Sequence, residues 1–127
     1  MARILVTEKI ARAGLERLRR AGHEVDERLD LSHEQLLEAV RGAHALIVRS
    51  STQVTADVIA AGVGLVAGGR AGVGVDNVDV EAATRQGVMV VNAPHSNTLS
   101  TAEHTMALLL AQARNVPQAS AALRRKA

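Results

Sequence analysis

The chain contains no cysteine and no phenylalanine, tyrosine or tryptophan. Without cysteine there is no disulfide, no thiolate nucleophile and no thiolate metal ligand. Without aromatic rings there is no platform on which bases could stack, and the core must be built from Ala, Val, Leu and Ile instead of large planar side chains. An excess of one charge is also missing. The 15 basic and 13 acidic residues leave a net charge of +2, too small for the electrostatic footprint of a nucleic-acid binder. Long hydrophobic runs are absent as well: no stretch approaches the roughly 18 apolar residues that cross a bilayer. The opening segment Met1 to Glu8 lacks the apolar run of a signal peptide. A soluble cytoplasmic chain, with neither a nucleic acid nor a membrane as partner, is the expectation.

What remains is an aliphatic chain of 127 residues, long enough for a real core. Five short runs read as strands: Arg3 to Thr7, His23 to Leu29, Ala45 to Val48, Leu65 to Gly69 and Val88 to Asn92. The first and third are continuously apolar, as in strands covered on both faces. The second alternates charge with Val25 and Leu29, which suits an edge. The fourth is weakened by Gly64, Gly68 and Gly69. Helices fill the intervals. Ile10, Leu15 and Leu18 share one helical face, and Ser32 with Gln35 makes a capping box. Thr55 is the expected cap of Ala56 to Ala61, and Asp79 that of a helix ending at Gly87.

Strand and helix alternate through short connections, which requires parallel strands and right-handed crossovers. The expected fold is therefore α/β, a flavodoxin-like, doubly wound sheet of five parallel strands in the order 2-1-3-4-5, followed by a long C-terminal helix. That helix carries Leu99, Met106, Leu109, Leu110 and Ala113 on a wide apolar face, with Ser100 and Glu103 as a second capping box. Residues 1–97 are expected to form the α/β domain and residues 98–127 a helical segment. The apolar face predicts a homodimer made through residues 98–127.

Doubly wound sheets bind ligands at the carboxyl ends of their strands. Those ends carry Thr7, Arg49-Ser50, Arg70-Ala71-Gly72 and Asn92-Ala93-Pro94. The glycine-rich stretch from Gly68 to Gly74 leaves backbone exposed to a ligand, and the helix that follows offers unpaired N–H groups to an anion. Arg70 adds a planar fork of donors suited to carboxylate or phosphate. A small anionic substrate is the expected occupant. A nucleotide loop is disfavoured, because Gly72-Val73-Gly74 lacks the third glycine and follows the fourth strand. Asp79 reads as a helix cap and Asp76 as a turn residue, so neither is assigned catalysis. The five histidines (His23, His33, His44, His95 and His104) show no metal-ligand spacing.

Several segments then resemble a known family. Leu46-Ile47-Val48-Arg49-Ser50, Val54 to Ile59, Gly69 to Asp79, Ala82-Ala83-Thr84, Val91-Asn92-Ala93-Pro94 and Ser100 to His104 are similar, in order, to the D-3-phosphoglycerate dehydrogenases among the D-isomer-specific 2-hydroxyacid dehydrogenases. The resemblance implies an NAD-dependent oxidoreductase of serine biosynthesis, with 3-phosphoglycerate or a like anion as substrate. It implies that Arg49, Ser50, Arg70, Ala71 and Gly72 hold the anionic groups, and that Asn97 lies in a loop beside substrate and cofactor. It further implies that the dinucleotide fingerprint and the family's catalytic arginine, glutamate and histidine fall outside this stretch. The expectation is a substrate-binding domain with no catalytic residue, bound cofactor or metal of its own, not expected to transfer hydride alone. The alternative reading is a designed or truncated flavodoxin-like scaffold with no ligand function.

Overall fold

In a computed structural model that describes residues 1–126, five strands form one all-parallel sheet. They are β1 (Arg3–Val6), β2 (Glu24–Glu27), β3 (Ala45–Val48), β4 (Ala67–Arg70) and β5 (Met89–Asn92), in the order β2-β1-β3-β4-β5. This is the expected order. Each connection carries a helix: α1 (Arg12–Arg20), α2 (His33–Ala39), α3 (Ala56–Ala61) and α4 (Val80–Gln86). The chain divides into two units, Met1–Pro94 and the residues from His95 onward.

The pleat sorts β1 and β3 onto two cores. Leu5, Leu46 and Val48 point to the side covered by α2, α3 and α4, where they meet Leu36, Val40, Val58, Ile59 and Ala83. Ile4 and Val6 point to the other side and meet Leu15 of α1. The charged second strand is indeed an edge, tied down by an ion pair from Arg3 to Asp26 at 2.7 Å. Burial opposes the charge of Asp26, but hydrogen bonds from Arg3 and Arg28 outweigh it and hold the carboxyl below its ordinary value.

Local signals placed most helix ends correctly. Ser32 Oγ accepts from the amide of Gln35 at 3.2 Å, and the Gln35 side chain accepts in return from the Ser32 amide at 2.9 Å. Asp79 Oδ1 accepts from Ala82 at 2.8 Å, and Gly87 takes the left-handed conformation, φ 75°, that stops α4. Two caps differ from expectation. Thr55 occupies the N-cap position of α3 without a capping bond: the Val58 amide that it would receive donates to Asp57 Oδ1 at 3.0 Å, and the Thr55 hydroxyl donates to the same carboxylate. That hydroxyl and the ring of His33, 2.7 Å away, lower the Asp57 carboxyl to about 2. Ser100 is not a cap either: the helix starts two residues earlier, and its hydroxyl donates to the carbonyl of Asn97.

The fourth strand starts later than its apolar run suggests. Gly62 to Leu65 close a tight turn, with the Leu65 amide on the Gly62 carbonyl at 2.8 Å, so Leu65 plugs the core before the strand begins. Gly68 and Gly69 still pair on both sides, with Leu46 and Val90, and with Ile47 and Val91. A methyl group built on Gly68 would touch nothing within 4 Å. The space it leaves belongs to an apolar cavity of about 10 Å³ lined by Leu46, Ile59, Gly68 and Val88, among others.

The second unit consists of α5 (Thr98–Ala113) and α6 (Val116–Lys126), joined through Asn115 in a left-handed conformation. No residue of α5 is buried. Met106, Leu108, Leu109 and Leu110 each remain more than half exposed. No helix among the described residues is long and apolar enough to cross a membrane.

Candidate functional site

Parallel pairing brings the exits of β3 and β4 side by side, with Val48 opposite Arg70. Arg49 and Ser50 therefore leave the sheet next to Arg70, Ala71 and Gly72. Five of the six residues expected at the site are gathered on this rim. The sixth, Asn97, belongs to the second unit, where it sits exposed at the N-cap position of α5 and makes no side-chain capping bond.

The two arginines differ in their surroundings. Arg49 is exposed and is in no ion pair among the described residues. Arg70 is folded back on its own loop, its side chain only 12% exposed. Its Nε donates to Asn77 Oδ1 at 3.3 Å, and Nη2 stands 3.9 Å from the largely exposed Asp76 carboxylate. The guanidinium lies over Gly72: a Cβ there would fall 3.0 Å from Cζ and overlap Nη1 outright. Gly72 is thus required by close approach, since any side chain would push the guanidinium aside. The fork is held through Nε, and its terminal nitrogens make no hydrogen bond among the described residues, Nη2 having only the long ion pair to Asp76.

The loop amides are divided in a way that composition alone does not reveal. Ala71 donates to the carbonyl of Val48 at 2.8 Å and Gly72 to that of Arg70 at 2.8 Å, so both are engaged inside the protein. The next amides, Val73 and Gly74, meet no acceptor among the described residues. The loop's carbonyls are fastened to the exit of β5, Gly72 by the Ala93 amide and Val73 by Asn92 Nδ2. The first loop amides open to an anion are therefore two and three residues beyond Ala71, and only the folded loop identifies them.

Two further side chains shape this rim. Glu8, just past β1, accepts from the amides of Arg49 and Thr52 at 2.9 Å each and from Ser51 at 3.3 Å. Partial burial disfavours its charge, but these donors, Thr52's first, outweigh that and keep the carboxyl below its ordinary 4.5. Asn77, only 5% exposed, approaches the same loop from its carbonyls. Its Nδ2 donates to Arg49 O and Thr52 O, both at 2.7 Å, while its Oδ1 receives Arg70. Neither residue stands out in the sequence, where Glu8 is an ordinary surface charge and Asn77 an ordinary turn residue. An asparagine two residues ahead of the helix cap Asp79 is the one available hint.

Asn77 also bears on the cofactor. Gly72 and Gly74 have the spacing of the first two glycines of a dinucleotide turn, but Asn77 stands at the third. With its side chain bonded into the neighbouring loop, it does not offer the close helix–strand approach that a pyrophosphate cradle needs. These residues do not fit a dinucleotide.

A family profile described as D-isomer specific 2-hydroxyacid dehydrogenase, catalytic domain, matches residues 4–126. D-3-phosphoglycerate dehydrogenase of Methanocaldococcus jannaschii is 51% identical over 125 residues, 98% of this chain and 24% of its own length. The chloroplastic D-3-phosphoglycerate dehydrogenase 2 of Arabidopsis thaliana is 54% identical over 123 residues, 96% of this chain and 20% of its own length. The chain thus spans about a quarter of these curated relatives or less. Among solved structures, the TT0316 protein of Thermus thermophilus superposes with a TM-score of 0.88 at 40% identity, covering 96% of this chain and 40% of that one. The NAD+-bound 3-phosphoglycerate dehydrogenase of Entamoeba histolytica gives 0.77 at 30% identity, over 87% of this chain and 38% of that one.

Proposed function

The chain belongs to the D-isomer-specific 2-hydroxyacid dehydrogenases, and from that premise we propose that its rim binds the anionic groups of a small phosphorylated hydroxy acid, 3-phosphoglycerate or a close relative. The observation that carries this reading is the guanidinium of Arg70, steered by Asn77 and seated over Gly72, its terminal nitrogens in no hydrogen bond among the described residues and Nη2 facing only the exposed Asp76 carboxylate at 3.9 Å. Beside it stand the exposed Arg49 and the open amides of Val73 and Gly74, so two cationic forks and a short run of N–H donors share one rim. Such a set suits a ligand with two separate anionic ends better than one with a single carboxylate. The names of the relatives point to the same substrate.

This chain's part is to bind and orient, and no hydride transfer is proposed for it alone. Titration with 3-phosphoglycerate, followed by ¹H–¹⁵N spectra, is the direct check. Saturable shifts confined to Ser50 and residues 70–77 at millimolar ligand are expected. An unchanged spectrum from a folded sample would remove the binding claim and favour a scaffold without ligand function.

We also propose that two copies associate through residues 98–127. The support is the string of large apolar side chains on α5, of which the second unit buries none. Sedimentation is expected to give a dimer at micromolar concentration. A monomer persisting at ten times that concentration would exclude it.

A further inference from the structure

We propose that Asn77 is a positioning residue that couples the two anion-binding loops, so that Arg70 and the Arg49–Thr52 segment engage a ligand as one unit. The inference rests on the anion-binding reading above. Its basis is the arrangement of three bonds on one buried amide. Nδ2 uses both hydrogens on carbonyls of the loop after β3, at 2.7 Å each, and Oδ1 takes the Nε hydrogen of Arg70 from the loop after β4. The main chain repeats the link, since the Val54 amide donates to the Asn77 carbonyl at 2.8 Å.

An uncharged group presenting two donors on one side and an acceptor on the other is found only in asparagine and glutamine. A carboxylate at 77 would keep the acceptor but turn negative oxygens toward two carbonyls. An aliphatic residue would leave those carbonyls without partners inside the protein. Glu8 grips the same segment through its amides, so the backbone from Arg49 to Thr52 is held through both polarities. The amide of Ser50 is left without an acceptor among the described residues. An anion that orients Arg70 therefore also fixes Asn77, and through it the segment carrying Ser50 and Arg49. Neither loop makes an independent site.

The test uses the full chain and inorganic phosphate as probe. In the parent, the Arg70 Nε–H, the Asn77 side-chain amide and the Ser50 backbone amide are expected to shift with one common half-saturation. In Asn77→Ser, with a dispersed spectrum confirming the fold, phosphate affinity should fall about tenfold, the equivalent of one hydrogen bond to a charged group. The Arg70 and Ser50 responses should then separate. Asn77→Asp should lose at least as much, although it retains the Arg70 contact, because its charge competes with the ligand for the guanidinium. A folded Asn77→Ser that binds like the parent would overturn the proposal. Should both variants unfold, the parent decides: an Asn77 side-chain signal that stays fixed while Val73 and Gly74 shift would overturn it equally. If the parent binds no phosphate, the anion reading fails by itself, and coupling is judged without ligand. The Arg70 Nε–H should then be sharp in the parent and exchange-broadened in Asn77→Ser, and a sharp signal in both would refute it.

Discussion

Arg70→Ala is expected to weaken binding of 3-phosphoglycerate or inorganic phosphate by about 100-fold, the loss of a paired, charge-assisted hydrogen-bonding fork worth roughly 3 kcal/mol. The guanidinium is the one cationic group on the rim that is both pre-oriented and largely withdrawn from water, with its side chain 12% exposed. Less of its contribution is therefore screened than for a solvated arginine. Arg49→Ala, at an exposed position, should cost about tenfold or less. Arg70→Lys keeps the charge and discards the fork, and should fall between the two. Gly72→Ala approaches the same group from beneath. The added methyl meets the far end of a flexible side chain, which can swing away, so the fold should persist while the orientation is lost. Affinity should drop about tenfold with little change in melting temperature. Titration calorimetry on the four variants gives the order. An Arg70→Ala variant binding as tightly as the parent would move the anion site elsewhere.

Leu46→Ala is expected to destabilise the first unit by about 4 kcal/mol, in the upper part of the range for deleting a buried leucine side chain. Leu46 is fully buried in β3, between Leu5 on β1 and Gly68 on β4. The cost depends on how far the surroundings collapse into the space. Here the neighbour on one side is a glycine with no side chain to contribute, and a cavity already exists beside it. With no aromatic ring in the chain to bridge the gap, such a loss is a large share of the roughly 5–15 kcal/mol typical of a domain, and about 20 °C in melting temperature for roughly 90 residues. Gly68→Ala should move the other way. Its methyl enters open space, and the unfolded chain loses freedom, for a gain of about 1 kcal/mol. Urea unfolding monitored by circular dichroism measures both. A Leu46→Ala cost below about 1 kcal/mol would mean that β4 sinks to close the cavity.

The sheet order was legible because it follows from local facts. Alternation of short apolar runs with helical spacing requires parallel strands, and the charged run from Glu24 to Glu27 requires an edge. Caps were legible where the bond is local and unopposed, as at Ser32 and Asp79. They failed where another acceptor took the amide, as at Thr55, where the Val58 N–H goes to Asp57 Oδ1. The glycines of β4 suggested a weak strand. Pairing on both sides keeps it in the sheet, and the missing side chains surface as a cavity instead.

By itself the sequence determined the α/β class, the strand order and the placing of Arg49, Ser50, Arg70, Ala71 and Gly72 on one rim. Periodicity and short connections are properties of neighbouring residues, and they suffice for that. Only the tertiary structure decided which donors the rim offers. It engaged the amides of Ala71 and Gly72, left those of Val73 and Gly74 open, laid Arg70 over Gly72 and set Glu8 and Asn77 on opposite polarities of one loop. The bonds responsible join Glu8 to Thr52 across 44 residues and Asn77 to Arg49 across 28. Hydrogen bonds of that reach are made by where strands end in space, which no local pattern records.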